Sequence, residues 1–569
     1  MGSSVRLVPL AAALGAACYA GSPSNTPPAP APVARVGDSA LLAVPGGTAS
    51  RRVSNAPRAA AAGSCAVTLL DSAARPGARW APPAVAREFR AAWISPVEGG
   101  EWPSRVGMSE AEQQAQLTAL LDRAAAIGLN AVILHMRPAA DALYPTPRAP
   151  WSSYLVRAGD GAPSYDPLAF AVREAHRRGL QLHVWFNPFR AAPPDERHAA
   201  AGARRVADEH PEWLVRYGSQ QWIDPGFPEA RRQVLETLFD VVGRYDVDGL
   251  HLDDYFYPYR EERTVARRVG SGRHARTVRS SETIAFDDER SWARYGSGES
   301  RSEWRRNNVS DFVRQLYAGV KARKPSVLVG ISPFGIWRPG SPAGVSGLDA
   351  YEEIYADSRR WLREGWLDYL APQLYWASDG EQLRFRRLDA WWRSENPRHR
   401  HLWPGLLTMR VAEGRNRWPV GEIPREVELI RSARQGGGES VGHVHFRMRS
   451  LMPDADGGLG DRLAETLYAD PALPPASPWL GAAVPAAPRF AGCATGGLLT
   501  VRAGDATPVR WWLASWRDAN GVWGTQLLPG DAPTVSPRLA SGGVPDEVAV
   551  SAVSPTGVEG PALVIKPEG

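Results

Sequence analysis

Between residues 87 and 455 short apolar runs alternate with longer stretches of helical period. The runs are "REFRAAWIS" (87–95), "NAVILHMRP" (130–138), "LQLHVWFNPFR" (180–190), "VDGLHLDD" (247–254), "VLVGISPFG" (327–335), "LDYLAPQLYW" (367–376), "LWPGLLTMRV" (402–411) and "GHVHFRMRSL" (442–451). Each reads as a strand. Helical patterns fall between them: 108–128 with a Gly stop, 166–179, 228–245, 307–325, 351–365 and a stretch near 423–436. Eight such β/α units over about 370 residues predict an α/β fold, a (β/α)8 TIM barrel with long loops. An open doubly wound sheet would want a Gly-rich phosphate turn after the first strand, and the sequence has none there. The longest insertion, 259–306, follows the fourth strand; it is polar and arginine-rich, and is expected on the active face or partly without order.

The pattern changes after 455. Residues 456–480 form a Pro-rich linker, and 481–569 carry short alternating runs such as "GLLTVRAG" and "VRWWLASWRD" between turn residues. They predict an all-β sandwich of fibronectin type III style, with packing or carbohydrate contact as its role. Residues 63–86 are a short segment before the barrel.

Composition narrows the class. Of 569 residues, 44% are hydrophobic and 22% charged, which is globular, and the net charge of +5 is mild. Lys321, Lys324 and Lys566 are the only lysines; the many arginines are interleaved with Asp and Glu, so no nucleic-acid partner is expected. Residues 1–18 have one positive charge, a short apolar run and small residues, the pattern of a secretory signal. "LGAAC" resembles a bacterial lipobox ending on Cys18, although Gly15 stands where Leu is usual. A lipid on Cys18, a Pro/Ala-rich tether over 19–62 and a place in the periplasm at the outer membrane follow as expectations, with plain secretion the alternative. The membrane is then touched only through that anchor. Cys65 and Cys493 remain as an even pair, expected to form a disulfide in an oxidising compartment; two unpaired buried thiols are the alternative. Neither has a His/Cys cluster nearby, and no metal or cofactor is expected.

In a barrel of this kind the catalytic groups stand at the C-terminal ends of the strands. Those ends offer His135, Arg137 and Asp141; His183, Trp185, Asn187 and Arg190; Asp253, Asp254, Tyr255 and Tyr257; Trp337; Gln373, Tyr375 and Trp376. The aromatic rings suit the apolar faces of sugars, and Asn, Gln and Arg suit hydroxyls and acetamides. Glycoside hydrolysis needs one protonated and one charged carboxyl group. "DGLHLDDYFYPYR" (248–260) ends a strand on Asp253 and Asp254, and two close carboxyls raise the proton affinity of one of them. Neighbouring strand residues point to opposite sides, so both can serve one site only if the strand ends there. One of them could instead cap the next segment, pair with an arginine or bind calcium. His135 and His183 lie inside strands and read as satisfied interior side chains. Trp361 and Trp366 read as helix packing.

"EFRAAWIS", "HMRPAADALYP", "VWFNPFR", "WIDPGFPEAR", "DGLHLDDYFYP", "FDDERSWARYG", "WRRNNVSDFV", "GISPFGIWRPG" and "DYLAPQLYW" together resemble the glycosyl hydrolase-like 10 group of bacterial envelope proteins. The resemblance implies a TIM-barrel glycosidase, often a lipoprotein, that cuts the glycan strands of peptidoglycan, with a preference for strands stripped of stem peptides. It points to Arg137, Asp141, Asn187, Arg190, Asp224, Asp253, Asp254, Tyr257, Gln373, Tyr375 and Trp376; the strand-end inventory adds Trp185, Tyr255 and Trp337. His135 stands where that group usually has Gln, and Asn307 where Asp is common. Asp253 is expected as nucleophile or stabilising carboxylate and Asp254 as acid/base. A non-catalytic glycan-binding wall protein and a glycosidase for another polysaccharide are the rival readings.

Overall fold

The computed structural model describes residues 66–70 and 82–568, apart from 83, 98–99, 158–159, 192–204, 270–275, 414–415, 435–440, 482, 495–496, 519 and 538–544. Cys18, Cys65, the signal and the tether lie outside the described residues.

A curled parallel sheet forms the centre. Its strands are Ala86–Ile94, Ala131–Arg137, Gln181–Phe186, Gly249–Leu252, Leu328–Ile331, Tyr369–Leu370, the pieces His401–Leu402 and Gly405–Leu406, and Val441–His445. They neighbour each other in chain order, and the last pairs with the first. The two pieces are one seventh strand interrupted at Pro404, which has no N–H to give. Hydrogen bonds from Trp403 to Leu370 and from Gly405 to Pro372 hold it to the sixth strand. Bonds from Val444 to Pro404 and from Phe446 to Leu406 hold it to the eighth. The ladder therefore runs round a barrel-like ring.

Helices cover the outside. Glu110–Ala126 begins with a full capping box between Ser109 and Glu112 and buries Leu117, Leu120, Leu121 and Ala124. Pro167–His176 starts on Asp166, whose carboxylate accepts from the amides of Leu168 and Ala169. Pro228–Arg244, Arg301–Arg323, Arg384–Ser394 and Glu422–Arg434 complete most of the shell.

Several stretches depart from the pattern-based reading. The helix expected at 307–325 starts six residues earlier, at Arg301, where Ser300 caps it. The stretch 351–365 is two short helices, Ala350–Glu353 and Ser358–Glu364. The insertion 259–306 holds an antiparallel hairpin, Glu262–Val269 with Arg276–Thr283, and a helix, Glu289–Tyr295. Met409 and Arg410 belong to a short helix, Met409–Ala412, not to the seventh strand. A small sheet of Arg190–Ala191, Leu214–Tyr217 and Gln220–Ile223 follows the third strand.

Large rings fill the barrel. Phe89 and Trp403 stack at 3.8 Å, with Trp93, Ile133, Trp185 and Tyr369 around them. Room for Tyr369 comes from Gly330: a Cβ there would stand 1.8 Å from the ring.

After residue 480 the described elements are β-strands in two antiparallel sheets. Arg489–Ala494, Leu498–Arg502 and Thr534–Val535 form one. Trp523–Pro529, Trp511–Arg517, Glu547–Val553 and Leu563–Glu568 form the other. Ala66–Leu70 joins the edge of the larger sheet beside Leu563–Glu568, a partnership across the whole chain that local pattern does not signal. Alternation along Trp511–Arg517 divides its burial. Trp512, Ala514 and Trp516 face the core between the sheets, while Trp511 and Leu513 face the barrel side with Leu473. There Trp511 Nε1 donates to the Gly179 carbonyl at 2.8 Å. Arg510 reaches Asp248 at 3.0 Å and His176 at 2.7 Å. Asp248 directly precedes the fourth strand, so this β-rich part sits on the face opposite the strand ends.

Gly330→Ala is expected to lower stability by about 3 kcal/mol or more, because the methyl overpacks the barrel. Gly243→Ala, in the helix Pro228–Arg244 with open space at the added methyl, is expected to be neutral or to gain up to about 1 kcal/mol. Urea unfolding compares the two; equal stabilities would contradict the packing described.

Candidate active site

On the fourth strand, Gly249 and His251 face the barrel interior, whereas Leu250 and Leu252 join the core under the helices. Tyr369 Oη lies 2.9 Å from Nδ1 of both His183 and His251. Trp93 Nε1 donates to His251 Nε2 at 3.2 Å, so the proton of that imidazole is on Nδ1. The ladder stops at Leu252, and Asp253 and Asp254 leave the strand together. Asp253 Oδ1 accepts from the Asp254 amide at 2.9 Å and from Gln373 Nε2 at 3.2 Å. Gln373 is in turn 3.2 Å from the Ser332 carbonyl, so the ends of the fourth, fifth and sixth strands meet on one carboxyl group. Asp254 Oδ2 accepts from the hydroxyl of Tyr259.

The two carboxyls differ electrically. Burial, and then the charge of Asp254, hold Asp253 well above the usual carboxylate range. Burial also raises Asp254, but hydrogen bonds from Tyr259 and from Asp253 act in the opposite direction. Burial and mutual repulsion thus favour a proton on the pair, more strongly at Asp253 than at Asp254. Arg190 draws both values down and lies 4.3 Å over the ring of Tyr255. Burial, and then the charges of Asp253 and Asp254, push the hydroxyl of Tyr375 well above its ordinary value.

The other expected residues divide into those around this pair and those apart from it. Gln373, Arg190, Tyr255 and Tyr375 surround it. Trp376 meets Phe334 edge-on at 6.0 Å, and Phe334 meets Tyr259 at 6.5 Å, so Trp376 extends the wall on the Asp254 side. Arg137, Trp185 and Asn187 form a clamp among themselves. Arg137 donates to the carbonyls of Asn187 and Pro188 at 2.9 and 3.2 Å. Trp185 donates to Asn187 Oδ1 at 3.1 Å and stacks on His135 at 3.7 Å. Asp141 accepts from the Ala139 amide at 3.0 Å and shapes its own loop.

Asp224 stands apart: its oxygens accept from Ser291 and from the Gly226 amide, and burial pushes its carboxyl up to about 6. It ties the small sheet to the helix Glu289–Tyr295. Trp337 is also peripheral, with Nε1 on Asp357 at 3.1 Å and its ring against Trp391. Tyr257 turns away from the pair toward Phe286 and Tyr355.

Three groups escape the sequence reading. Tyr259 is one of three tyrosines in five positions, and nothing in their spacing singles it out. Glu101 is buried, accepts from the Ser95 amide at 3.0 Å and lies 3.6 Å from Arg447. Glu261 is half-buried and raised by burial, with Arg190 opposing that rise. No group of three or more metal-ligating side chains is present among the described residues.

Two buried carboxyl groups thus stand together at the strand ends of a parallel α/β ring, walled by tyrosine and tryptophan, the place where enzymes of this architecture carry their chemistry. Residues 88–419 match the Glycosyl hydrolase-like 10 family, and the chain belongs to it. It is 37% identical over 414 residues to glycosyl hydrolase YngK of Bacillus subtilis (strain 168), covering 71% of this chain and 76% of that protein. Glycosyl hydrolase DigH of Escherichia coli (strain K12) is 33% identical over 376 residues, 62% of this chain and 81% of DigH. Among solved structures, the glycoside hydrolase domain of PgaB (BpsB) from Bordetella bronchiseptica aligns with 14% identity and a TM-score of 0.42, over 68% of this chain and 99% of that chain.

Tyr259→Phe removes a donor that favours the charged form of Asp254, so the carboxyl keeps its proton to higher pH. The acid limb of the kcat/KM–pH profile is expected to move up by roughly half to one unit. An unmoved acid limb would separate Tyr259 from the chemistry.

Proposed function

We propose that the protein cleaves the glycan strands of peptidoglycan, acting on strands freed of stem peptides. The observation that carries the glycosidase chemistry is the buried Asp253–Asp254 pair at the strand ends, with Asp253 held well above the usual carboxylate range. Asp253 is the acid and Asp254 the charged partner, the reverse of the roles expected from sequence alone. Gln373 and the Asp254 amide both donate to Oδ1 of Asp253, which leaves Oδ2 to carry the proton. That proton passes to the glycosidic oxygen as the bond breaks. Positive charge develops on the sugar and the Asp254 carboxylate stabilises it; water then adds to the anomeric carbon and gives its proton to the Asp253 carboxylate, which restores the acid. Tyr375, Tyr255 and Trp376 supply ring surface for sugar faces. The peptidoglycan substrate rests on the family's resemblance to envelope glycosidases.

Three proposals accompany this one. Export with a lipid on Cys18 is supported by the first 18 residues as a sequence. A disulfide between Cys65 and Cys493 is supported by the packing of Val67, two residues after Cys65, and Cys493 against the same small core. The type III likeness of the C-terminal part is supported by its three-plus-four strand arrangement.

Purified protein incubated with intact and with peptide-stripped sacculi is expected to release fragments mainly from the latter, read by mass. Asp253→Asn and Asp254→Asn are each expected to slow release by at least about a hundredfold. Release by both variants at the unmodified rate would remove the pair from catalysis. Retained pull-down without release by the unmodified protein would favour a glycan-binding role.

A further inference from the structure

The segment after the catalytic pair has two working sides. Tyr259 holds Asp254, while Tyr257 and Pro258 line a second cavity of about 410 Å³. That volume lies in the range of small-ligand sites, about 300–1,000 Å³. Rings of Tyr217, Tyr257, Phe286 and Tyr355 form its walls. Tyr257 meets Phe286 at 5.0 Å and Tyr355 at 4.9 Å, both edge-on.

Three features of this cavity have no explanation in the packing alone. The hydroxyl of Tyr257 is buried and has no hydrogen-bond partner among the described residues. Tyr355 has a φ of 54°, a left-handed conformation that a tyrosine adopts at a cost, and it directs its hydroxyl to Arg305 at 2.6 Å. Arg260, at the rim, donates only to Thr283 Oγ1, at 2.7 and 3.1 Å, and has no carboxylate within ion-pairing distance among the described residues. Of the other four charges here, three are in ion pairs. Arg301 and Arg305 both pair with Asp288, and Glu352 pairs with Arg306 at 3.1 Å. Glu353 accepts from the Asp349 amide at 3.4 Å.

We propose that this cavity is a subsite for a sugar residue carrying a free carboxylate, on the other side of the chain segment 255–260 from the pair. The aromatic walls take the apolar faces of the pyranose, and Arg260 takes the carboxylate as a bidentate partner. The inference rests on the peptidoglycan reading above and deepens it. A muramic acid freed of its peptide bears this carboxylate, whereas a peptide-linked one has an amide at the same place and a bulky chain beyond it. The cavity thereby selects stripped strands by charge and size.

The test compares Arg260→Gln with the unmodified enzyme on two substrates: peptide-stripped strands, and the same strands with their lactyl carboxylates converted to methylamides. On stripped strands the variant is expected to show KM raised about tenfold with kcat unchanged within about twofold. On amidated strands the two enzymes are expected to share one raised KM, and an unchanged melting temperature shows that the variant is folded. Equal KM values on stripped strands, or the same loss on both substrates, would overturn the subsite. Failure of the peptidoglycan reading looks different: the unmodified enzyme then releases nothing from either substrate, and the subsite falls with it.

Discussion

The hydroxyl of Tyr369 stands between His183 and His251 inside the barrel, 2.9 Å from each. Few contacts in the molecule constrain so much. It joins the third, fourth and sixth strands at one buried point, and burial holds both imidazoles neutral, His183 at about 4. The contact exists only because two neighbours are glycines. A side chain at Gly249 would meet His183 Nδ1 at 2.4 Å, and one at Gly330 would enter the Tyr369 ring. With the fourth and sixth strands set against each other in this way, their ends deliver Asp253 and Gln373 to within hydrogen-bonding distance. The same imidazole that touches Tyr369 accepts from Trp93, so the network also orients a ring on the first strand.

What the strand ends deliver is governed by burial. Asp253 is 9% exposed and Asp254 2%, and two adjacent anions in that setting repel with little water to screen them. Burial and this repulsion both favour a proton on the pair, and the Arg190 guanidinium opposes them. A carboxyl that holds its proton is what general-acid chemistry requires. Gln373 donates to Asp253 and Tyr259 to Asp254, so each carboxyl has its own partner.

Most of the barrel is legible in the chain because its strands are short apolar runs closed by Gly, Pro or Asp, and its helices carry their own caps. Asp253 and Asp254 are legible for the same reason: charges at the end of a buried run need an explanation. The features that escape depend on distant partners. Ala66–Leu70 becomes a strand because Leu563–Glu568 offers an edge at the far end of the chain. The hairpin Glu262–Val269 with Arg276–Thr283 has no buried face in its sequence, since Arg and Thr occupy both sides, and so shows no apolar period. Asp224 and Trp337 sit in motifs as suggestive as the one that ends on Asp253 and Asp254. Only Ser291 and Asp357, which they meet in space, show that they hold loops and helices together.

The barrel uses its two faces differently. The hairpin, the small sheet after the third strand and the Asp253–Asp254 pair all follow strand ends, whereas Arg510, Trp511 and Asp248 join the β-rich part to the strand starts. That join is polar and specific. Asp248 accepts from His176 and from the Leu182 amide, each at 2.8 Å, before Arg510 adds to it. Burial would raise the Asp248 carboxyl, but the Arg510 guanidinium and His176 hold it at about 2, so the anion persists through the whole physiological range. The strand that begins the described chain, Ala66–Leu70, lies in this same β-rich part.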